Sequence, residues 1–214
     1  MGQLYTIGCS TLTLDDFVRN LKLNHINVVA DVRSVPYSRS TPQFNREILK
    51  ERLNKEHIGY GDFSKEFGAR RIEVNAYENN QVSFDKTKNL PEFENGIARI
   101  KKGLQMGFSI ALMCTEKNPL ECHRFSLVAR GIFEKTSIRS SHILTDGTIV
   151  STEQLEQEML IEFGMQPELF ASSDEQLKEA YKLINEKIGY ILPQTVKAEE
   201  LEGDYCDKDV YMFG

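Results

Sequence analysis

The spacing of apolar residues changes repeatedly along the first 150 positions, and this change predicts strands that alternate with helices. Residues 4–8 (LYTIG) form a short apolar run, and residues 26–33 (INVVADVR) form a longer run enriched in β-branched side chains. A continuous run of this kind is typical of a buried parallel strand. Residues 11–23, which lie between the two runs, have helical spacing. Together the three segments predict a βαβ unit with a right-handed crossover.

The rest of the chain is predicted to continue this alternation and to end in a helical extension. Further helices are expected over residues 44–56, 91–106, 119–135, 151–163 and 173–187, and further strands over residues 107–114 and 137–144. Residues 57–89 have little periodicity and are expected to be mostly loop. The alternation favours an α/β fold with a mostly parallel sheet flanked by helices. We expect an α/β domain over residues 1–165 and a C-terminal acidic helical extension and tail over residues 166–214.

Charge is divided unevenly along the chain. Residues 1–150 carry 21 Lys and Arg against 17 Asp and Glu, whereas residues 151–214 carry 5 against 15. The simplest interpretation is a solvated acidic tail; the alternative is that the first part faces an anionic ligand and that the tail covers it. No stretch approaches the roughly 20 apolar residues of a membrane helix, and the first residues lack a signal-peptide pattern. A cytoplasmic protein without a membrane partner is therefore expected.

Polar and reactive residues follow several of the predicted strands. In open α/β sheets, ligand sites form beyond the carboxyl ends of the strands. This rule selects four places in the chain: Cys9 with Ser10, residues 31–45, residues 114–124, and His142 with Asp146.

The segment CTEKNPLECHR (residues 114–124) is the richest of these places. Its central residues, Asn-Pro-Leu-Glu, form a helix-start pattern. The pattern places Cys122, His123 and Arg124 just inside a helix, near its positive end. A thiol there is expected to have a depressed pKa, and an anion there would be stabilised by free N–H groups.

Three interpretations of this segment remain open. In the first, Cys114 is a nucleophile with His123 or Glu116 as its acid–base partner, and Arg124 holds an anion. In the second, Cys114, Cys122 and His123 ligate zinc, although adjacent residues on a helix point about 100° apart. In the third, Cys122 is a buried, inert thiol.

The segment DVRSVPYSRSTPQFN (residues 31–45) is a candidate anion-binding loop. Arg33 and Arg39 flank the hydroxyls of Ser34 and Ser38. The guanidinium fork matches the oxygens of phosphate, sulfate and carboxylate groups. The alternative is a solvated loop with structural ion pairs, in which Asp31 holds Arg33 or Arg124 in place.

Four stretches of the sequence, TIGCST, DVRSVPYSR, PQFNREIL and ALMCTEKNPLECHR, resemble the domain-of-unknown-function 488 (DUF488) family. The resemblance covers about residues 3–165 and implies an α/β fold, without an activity. The positions that it supports are Ser10, Arg33, Ser34, Ser38, Phe44, Asn45, Cys114, Glu116, Cys122, His123, Arg124 and His142. The family usually has histidine where this chain has Cys9. A weaker, architectural likeness is to rhodanese domains.

The leading functional hypothesis is an enzyme that acts on an anionic small molecule or a nucleotide-like group, by group transfer or hydrolysis. Its predicted catalytic residues are Cys114, Glu116 and His123. Its predicted binding residues are Ser10, Arg33, Ser34, Ser38, Arg39, Asn45, Arg124 and His142. No cofactor is expected. The alternative is a non-catalytic module that binds an anionic ligand or nucleic acid and whose cysteines are structural.

Overall fold

A six-stranded sheet organises the computed structural model of the protein, which describes residues 2–165 and 173–193. The described strands are β1 (Leu4–Gly8), β2 (Val28–Asp31), β3 (Gly59–Asp62), β4 (Tyr77–Glu78), β5 (Gln81–Val82), β6 (Ile110–Cys114), β7 (Ser140–Ile143) and β8 (Ile149–Ser151). The order in the sheet is β3-β2-β6-β1-β7-β8, and β4 and β5 form a separate antiparallel pair. Neighbours in the main sheet are parallel, except that β8 runs antiparallel to β7.

The sheet is covered by helices on both faces. The described α-helices are α1 (Leu14–Leu23), α2 (Arg46–Lys55), α3 (Ser64–Phe67), α4 (Phe84–Thr87), α5 (Pro91–Gln105), α6 (Arg130–Thr136), α7 (Thr152–Glu162) and α8 (Ser173–Ile188). Short 3-10 helices span Pro42–Phe44, Val74–Ala76 and Pro119–Glu121, and a π-helix spans Arg124–Ala129.

Alternate residues of the central strands pack into two separate cores. In β6, Ala111 and Met113 contact the core beneath α1 and α2, whereas Leu112 and Cys114 contact the core beneath α5 and α6. This alternation follows from the two-residue period of a strand, which turns successive side chains to opposite faces. It explains why β6 is apolar at every position, and it directs Cys114 to the α5 side.

The predicted α/β fold with a mostly parallel, helix-flanked sheet is confirmed. Each predicted strand and helix is present except for one helix, with ends that differ by a few residues. Two strands at the edges of the sheet were not predicted. In β3 the sequence is Gly-Tyr-Gly-Asp, which has no apolar run, and β8 is only three residues long. Neither strand is buried on both faces, so neither carries the pattern that marks the central strands.

The continuous helix predicted over residues 119–135 is wrong. After the 3-10 turn the chain is extended at Cys122, with φ −136° and ψ 134°, and helical structure resumes as the π-helix that runs into α6. Asn118 does cap the turn through a hydrogen bond to the Leu120 N–H, and Pro119 occupies its first position. The helix-start pattern is thus real, but it starts only a short turn.

The C-terminal helix α8 packs against the elements that follow β6. A third core joins Leu120 and Phe125 to Met159 of α7 and to Tyr181 and Ile184 of α8. The α-helical extension therefore contacts the 3-10 turn and the π-helix directly. The tail predicted over residues 192–214 lies, from residue 194, outside the described residues. Among the described helices, none is long and apolar enough to cross a membrane.

Candidate functional site

A cavity of about 570 Å³ lies beyond the carboxyl ends of β2 and β6. Eight of the eleven predicted site residues line it: Arg33, Ser34, Ser38, Arg39, Asn45, Cys114, Glu116 and His123. Two segments that are distant in sequence therefore meet, because β2 and β6 are adjacent parallel strands that end at the same edge of the sheet. This is the edge at which open α/β sheets form ligand sites.

Two thiols, a carboxylate and an imidazole are in contact on the β6 side of the cavity. The Sγ atoms of Cys114 and Cys122 lie 3.3 and 3.2 Å from Oε2 of Glu116. Nδ1 of His123 lies 3.7 Å from Sγ of Cys114. Both cysteines carry free thiols and are almost fully buried, yet both line the cavity. We refer to Cys114, Cys122 and His123 together as the thiol–imidazole cluster.

The pKa values of the two thiols of the cluster are shifted in opposite directions. Burial raises the pKa of Cys122, but a hydrogen bond with Cys114 and the positive charge of Arg124 outweigh burial, so this pKa lies well below its ordinary value. The same hydrogen bond, together with burial, places the pKa of Cys114 well above its ordinary value. The sequence predicted a depressed pKa for Cys122 from a helix N-terminus, but the cause is these neighbouring side chains.

The imidazole of His123 has a defined orientation. Its Nε2 lies 3.0 Å from the carbonyl oxygen of Val32, so this nitrogen carries a proton and donates it. Burial lowers the pKa of His123, but contact with Cys122 and the Val32 carbonyl raises it above its ordinary value. The pKa of Glu116 is also raised, by burial and by the nearby Cys122. Both shifts favour the protonated forms of these two groups next to the sulfurs.

The extended backbone at Cys122 is what assembles the cluster. The sequence argued against a shared zinc ion because adjacent helical residues point apart, but Cys122 is not helical. The ligand atoms of Cys114, Cys122 and His123 all lie within 4.8 Å of one another. The geometric objection is therefore wrong, and these residues have the donor types and the proximity to hold a metal ion.

The loop after β2 supplies the cationic side of the cavity. Asp31 accepts hydrogen bonds from Nε and Nη2 of Arg33 at 2.9 and 2.6 Å, and Nη2 also donates to the carbonyl of Phe44. The pair is buried, so Asp31 holds Arg33 in a fixed position at the cavity wall. Arg39 lies at the exposed rim. The loop itself is closed by Asn45, whose Oδ1 accepts a hydrogen bond from the Ser38 N–H at 2.7 Å.

Three predicted site residues do not line the cavity: Ser10, Arg124 and His142. Ser10 follows β1 and donates its backbone N–H to the carbonyl of Thr115. Arg124 is fully buried, and its Nη1 and Nη2 donate to the carbonyls of Glu116 and Lys117 at 2.6 and 3.1 Å. It supports the loop that carries Glu116, and its positive charge lowers the pKa of Cys122 from outside the cavity.

His142 is a fully buried histidine in the layer behind the cavity. Thr152 donates its hydroxyl to the carbonyl of Ser140, so it accepts from Nε2 of His142 at 3.0 Å. Nδ1 of His142 then accepts the hydroxyl of Thr6 at 2.9 Å. Burial, together with the charge of Arg124, lowers the pKa of His142 to about 3. This ring is held neutral.

Close packing joins β1 to the loop that carries Glu116. A Cβ atom at Gly8 would lie 2.0 Å from the carbonyl oxygen of Glu116, so only glycine fits at this position. The next residue, Cys9, is fully buried on the α1 side of the sheet, where burial raises its pKa to about 12. The Cys9 thiol is therefore protonated and does not line the cavity.

Sequence reasoning missed Arg70 and Tyr190 as residues of the cavity, and it left Cys122 out of the predicted catalytic and binding residues. Cys122 was predicted to lie just inside a helix, because its extended conformation has no sequence signal. Arg70 lies in the aperiodic stretch 57–89, and its guanidinium stacks 5.1 Å from the ring centroid of Tyr190, which follows α8. The sequence signal that could have pointed to Arg70 as a cavity residue was the pair of adjacent arginines at residues 70 and 71.

Comparison with known proteins identifies the family. The chain matches the family described as Domain of unknown function DUF488 over residues 13–130, which is more than half of its length. No curated protein and no solved structure matches it. The matched stretch includes both the loop after β2 and the whole thiol–imidazole cluster, and the chain belongs to the DUF488 family, as its motifs predicted.

Proposed function

We propose that the protein is a thiol-dependent enzyme that transfers or hydrolyses a group of an anionic small molecule or nucleotide-like substrate. The observation that supports this proposal is the convergence of the thiol–imidazole cluster and Arg33, Arg39 and Arg70 on one cavity. The arginines suit the oxygens of an anion. The volume is within the range of small-molecule sites.

The chemistry follows from the arrangement of the four groups in contact. The sulfur of Cys122 bonds to the electrophilic atom of the substrate as the bond to the leaving group breaks. The leaving group departs with the electron pair and takes a proton from Glu116 or His123. Water or another acceptor then attacks the intermediate, gives a proton to the same groups and releases the sulfur. Cys114, which keeps its proton, stabilises the charge on Cys122 through their hydrogen bond.

The nucleophile in this mechanism is Cys122 rather than Cys114, which the sequence favoured. Cys114 closes β6 and is the more protonated partner, whereas Cys122 has the lowered pKa. The non-catalytic alternative retains the arginine-lined cavity but gives the thiols no role beyond packing. Measuring thiol reactivity separates the two hypotheses.

The test is the rate of iodoacetamide alkylation near neutral pH, measured for each cysteine by mass spectrometry. Cys206, which lies outside the described residues, is replaced by serine in every protein. We expect alkylation of Cys122 to be faster than that of free cysteine, to be abolished by Cys122→Ser and to be slowed by Cys114→Ser. Cys9→Ala, which removes a buried thiol on the opposite face, leaves the rate unchanged. Alkylation no faster than that of the unfolded chain would contradict the proposal and favour the binding module.

A further inference from the structure

The thiol–imidazole cluster has the spacing of a metal site. Zinc binds sulfur at about 2.3 Å and nitrogen at about 2.0 Å in a tetrahedron, which separates two ligand atoms by about 3.5–3.8 Å. Sγ of Cys114 and Nδ1 of His123 are 3.7 Å apart, and all three donor atoms lie within 4.8 Å of one another. The donor atoms therefore need only small shifts to surround one ion.

The imidazole already has the orientation that a metal requires. A metal-bound histidine usually donates its second ring N–H to a carboxylate or a backbone carbonyl, which sets the tautomer. In His123, Nε2 donates to the carbonyl of Val32 at 3.0 Å. Nδ1 is therefore the ring nitrogen that can offer a lone pair, and it is the one that faces the sulfurs.

The fourth side of the cluster is open to the cavity and next to a carboxylate. Two thiols and one imidazole make three protein ligands, the number found in zinc sites that leave a position for water or substrate. Oε2 of Glu116 contacts both sulfurs and can either ligate the ion or hold a bound water. Sulfur and imidazole donors favour a thiophilic ion such as zinc over magnesium or calcium.

We infer that Cys114, Cys122 and His123 bind a thiophilic divalent cation of the zinc class, which masks the thiols while it is bound. Binding replaces the protons that remain on the two sulfurs and on Nδ1 of His123 with two metal–sulfur bonds and one metal–nitrogen bond, and it releases those protons to solvent. The masking of the nucleophile rests on the proposed function, because it regulates the same sulfurs. The binding of the ion does not depend on that function.

The first test uses cobalt(II) as a visible probe, with serine at residue 206 throughout. We expect one equivalent of cobalt per chain to produce a thiolate-to-cobalt charge-transfer band, which zinc then abolishes by displacement. Competition with a chelator measures the affinity for zinc. Cys114→Ser, Cys122→Ser and His123→Ala should each weaken it by more than about 100-fold, because even residues that only support a ligand typically contribute 10–100-fold.

The control is Cys9→Ala, which should bind cobalt and zinc as the parent does. Thermal unfolding of every metal-free variant shows whether it is folded. If the cluster variants are folded but lack the charge-transfer band, while Cys9→Ala keeps it, the inference is supported. If the parent gives no charge-transfer band, or if His123→Ala binds as tightly as the parent, the inference is overturned.

A second measurement separates this inference from the proposed function. The parent is alkylated with iodoacetamide in zinc and again after chelation, and masking predicts slow labelling in zinc and fast labelling after the chelator is added. Fast labelling in both conditions would contradict masking but leave the thiol enzyme intact. Slow labelling in both, with a normal cobalt band, would contradict the thiol enzyme and leave the metal site intact.

Discussion

The cavity wall and the buried layer behind it each contain a histidine, and the two rings have different surroundings. Nε2 of His123 donates to a backbone carbonyl, and its Nδ1 faces the thiols at the cavity. His142 has both nitrogens bonded to threonine hydroxyls inside the core. The pKa of His123 is raised and that of His142 is lowered. A candidate site residue is therefore one with a polar atom that faces the cavity, as in His123, and not one whose polar atoms are all bonded within the core, as in His142.

The arginines divide in the same way. Arg124 is fully buried and bonded to backbone carbonyls, whereas Arg39 and Arg70 are exposed at the cavity rim. The adjacent residues His123 and Arg124 therefore fall on opposite sides of this division. A short motif can combine a group that faces the cavity with a group that supports it from behind.

The largest predicted effect comes from removing the support beneath the cavity. Asp31→Ala leaves the buried charge of Arg33 without its partner, and breaking a buried ion pair in this way costs about 3–5 kcal/mol. We expect urea denaturation to show a loss of this size in the free energy of unfolding. The buried hydrogen bonds from Arg33 and from Tyr60 to Asp31 are lost together.

The matched control is Glu51→Ala, which removes an exposed ion pair with Lys55 in α2. Solvent screens an exposed pair, which therefore contributes little, so this variant should unfold almost as the parent does. Equal stability of the two variants would show that Asp31 and Arg33 do not form the support described here.

A second, smaller effect tests the neutral state of His142. Its pKa is about 3 in the folded protein against an ordinary 6.5, so the unfolded chain takes up the proton first as the pH falls. The stabilisation is complete above pH 6.5 and is lost toward pH 3. Each pH unit in this window corresponds to about 1.4 kcal/mol, so His142 should lower the stability by about 2 kcal/mol between pH 7 and pH 5.

The measurement is the urea midpoint at several pH values for the parent and for His142→Gln. The glutamine has no such titration, so its stability should fall less steeply with acid. His25→Asn serves as the control, because His25 is exposed and its positive φ of 53° suits asparagine. Parallel pH profiles for the parent and His142→Gln would contradict a histidine that is held neutral.

The central part of the fold could be predicted because burial on both faces leaves a continuous apolar run. β2 and β6 have such runs, and α1 and α5 have clear helical stripes. The edge strand β3 could not be predicted, because its Gly-Tyr-Gly-Asp sequence is only partly buried. Topology then brings the ends of β2 and β6 together, which is why a rule about strand ends found most of the cavity.

The backbone conformation within the site could not be predicted from the sequence. A π-helix has no distinct residue pattern, and it often occurs at functional sites. It follows an extended Cys122, where the sequence predicted one continuous helix, and the extended backbone lets Cys122 join Cys114 and His123 in a cluster of ligand atoms. Residues that reach the cavity from far along the chain, such as Tyr190, depend on tertiary packing that no local pattern encodes.

The alkylation rates of two reagents at Cys122 show whether the thiols and the arginines belong to one site. Iodoacetate is an anion and iodoacetamide is neutral, so their rate ratio at Cys122 reports the charge of the cavity. In the cavity variant, two exposed charges are removed by Arg39→Gln and Arg70→Gln. Their combined attraction for the anionic reagent is about 1 kcal/mol, and losing it corresponds to about a five-fold fall in the rate ratio. High salt should reduce the difference by screening.

Arg19→Gln with Arg139→Gln is the control, since both arginines are exposed and neither lines the cavity. The iodoacetate-to-iodoacetamide rate ratio at Cys122 should fall about five-fold in the cavity variant and stay unchanged in the control. The same ratio in the parent, the cavity variant and the control would contradict a single site that combines thiol chemistry with anion binding.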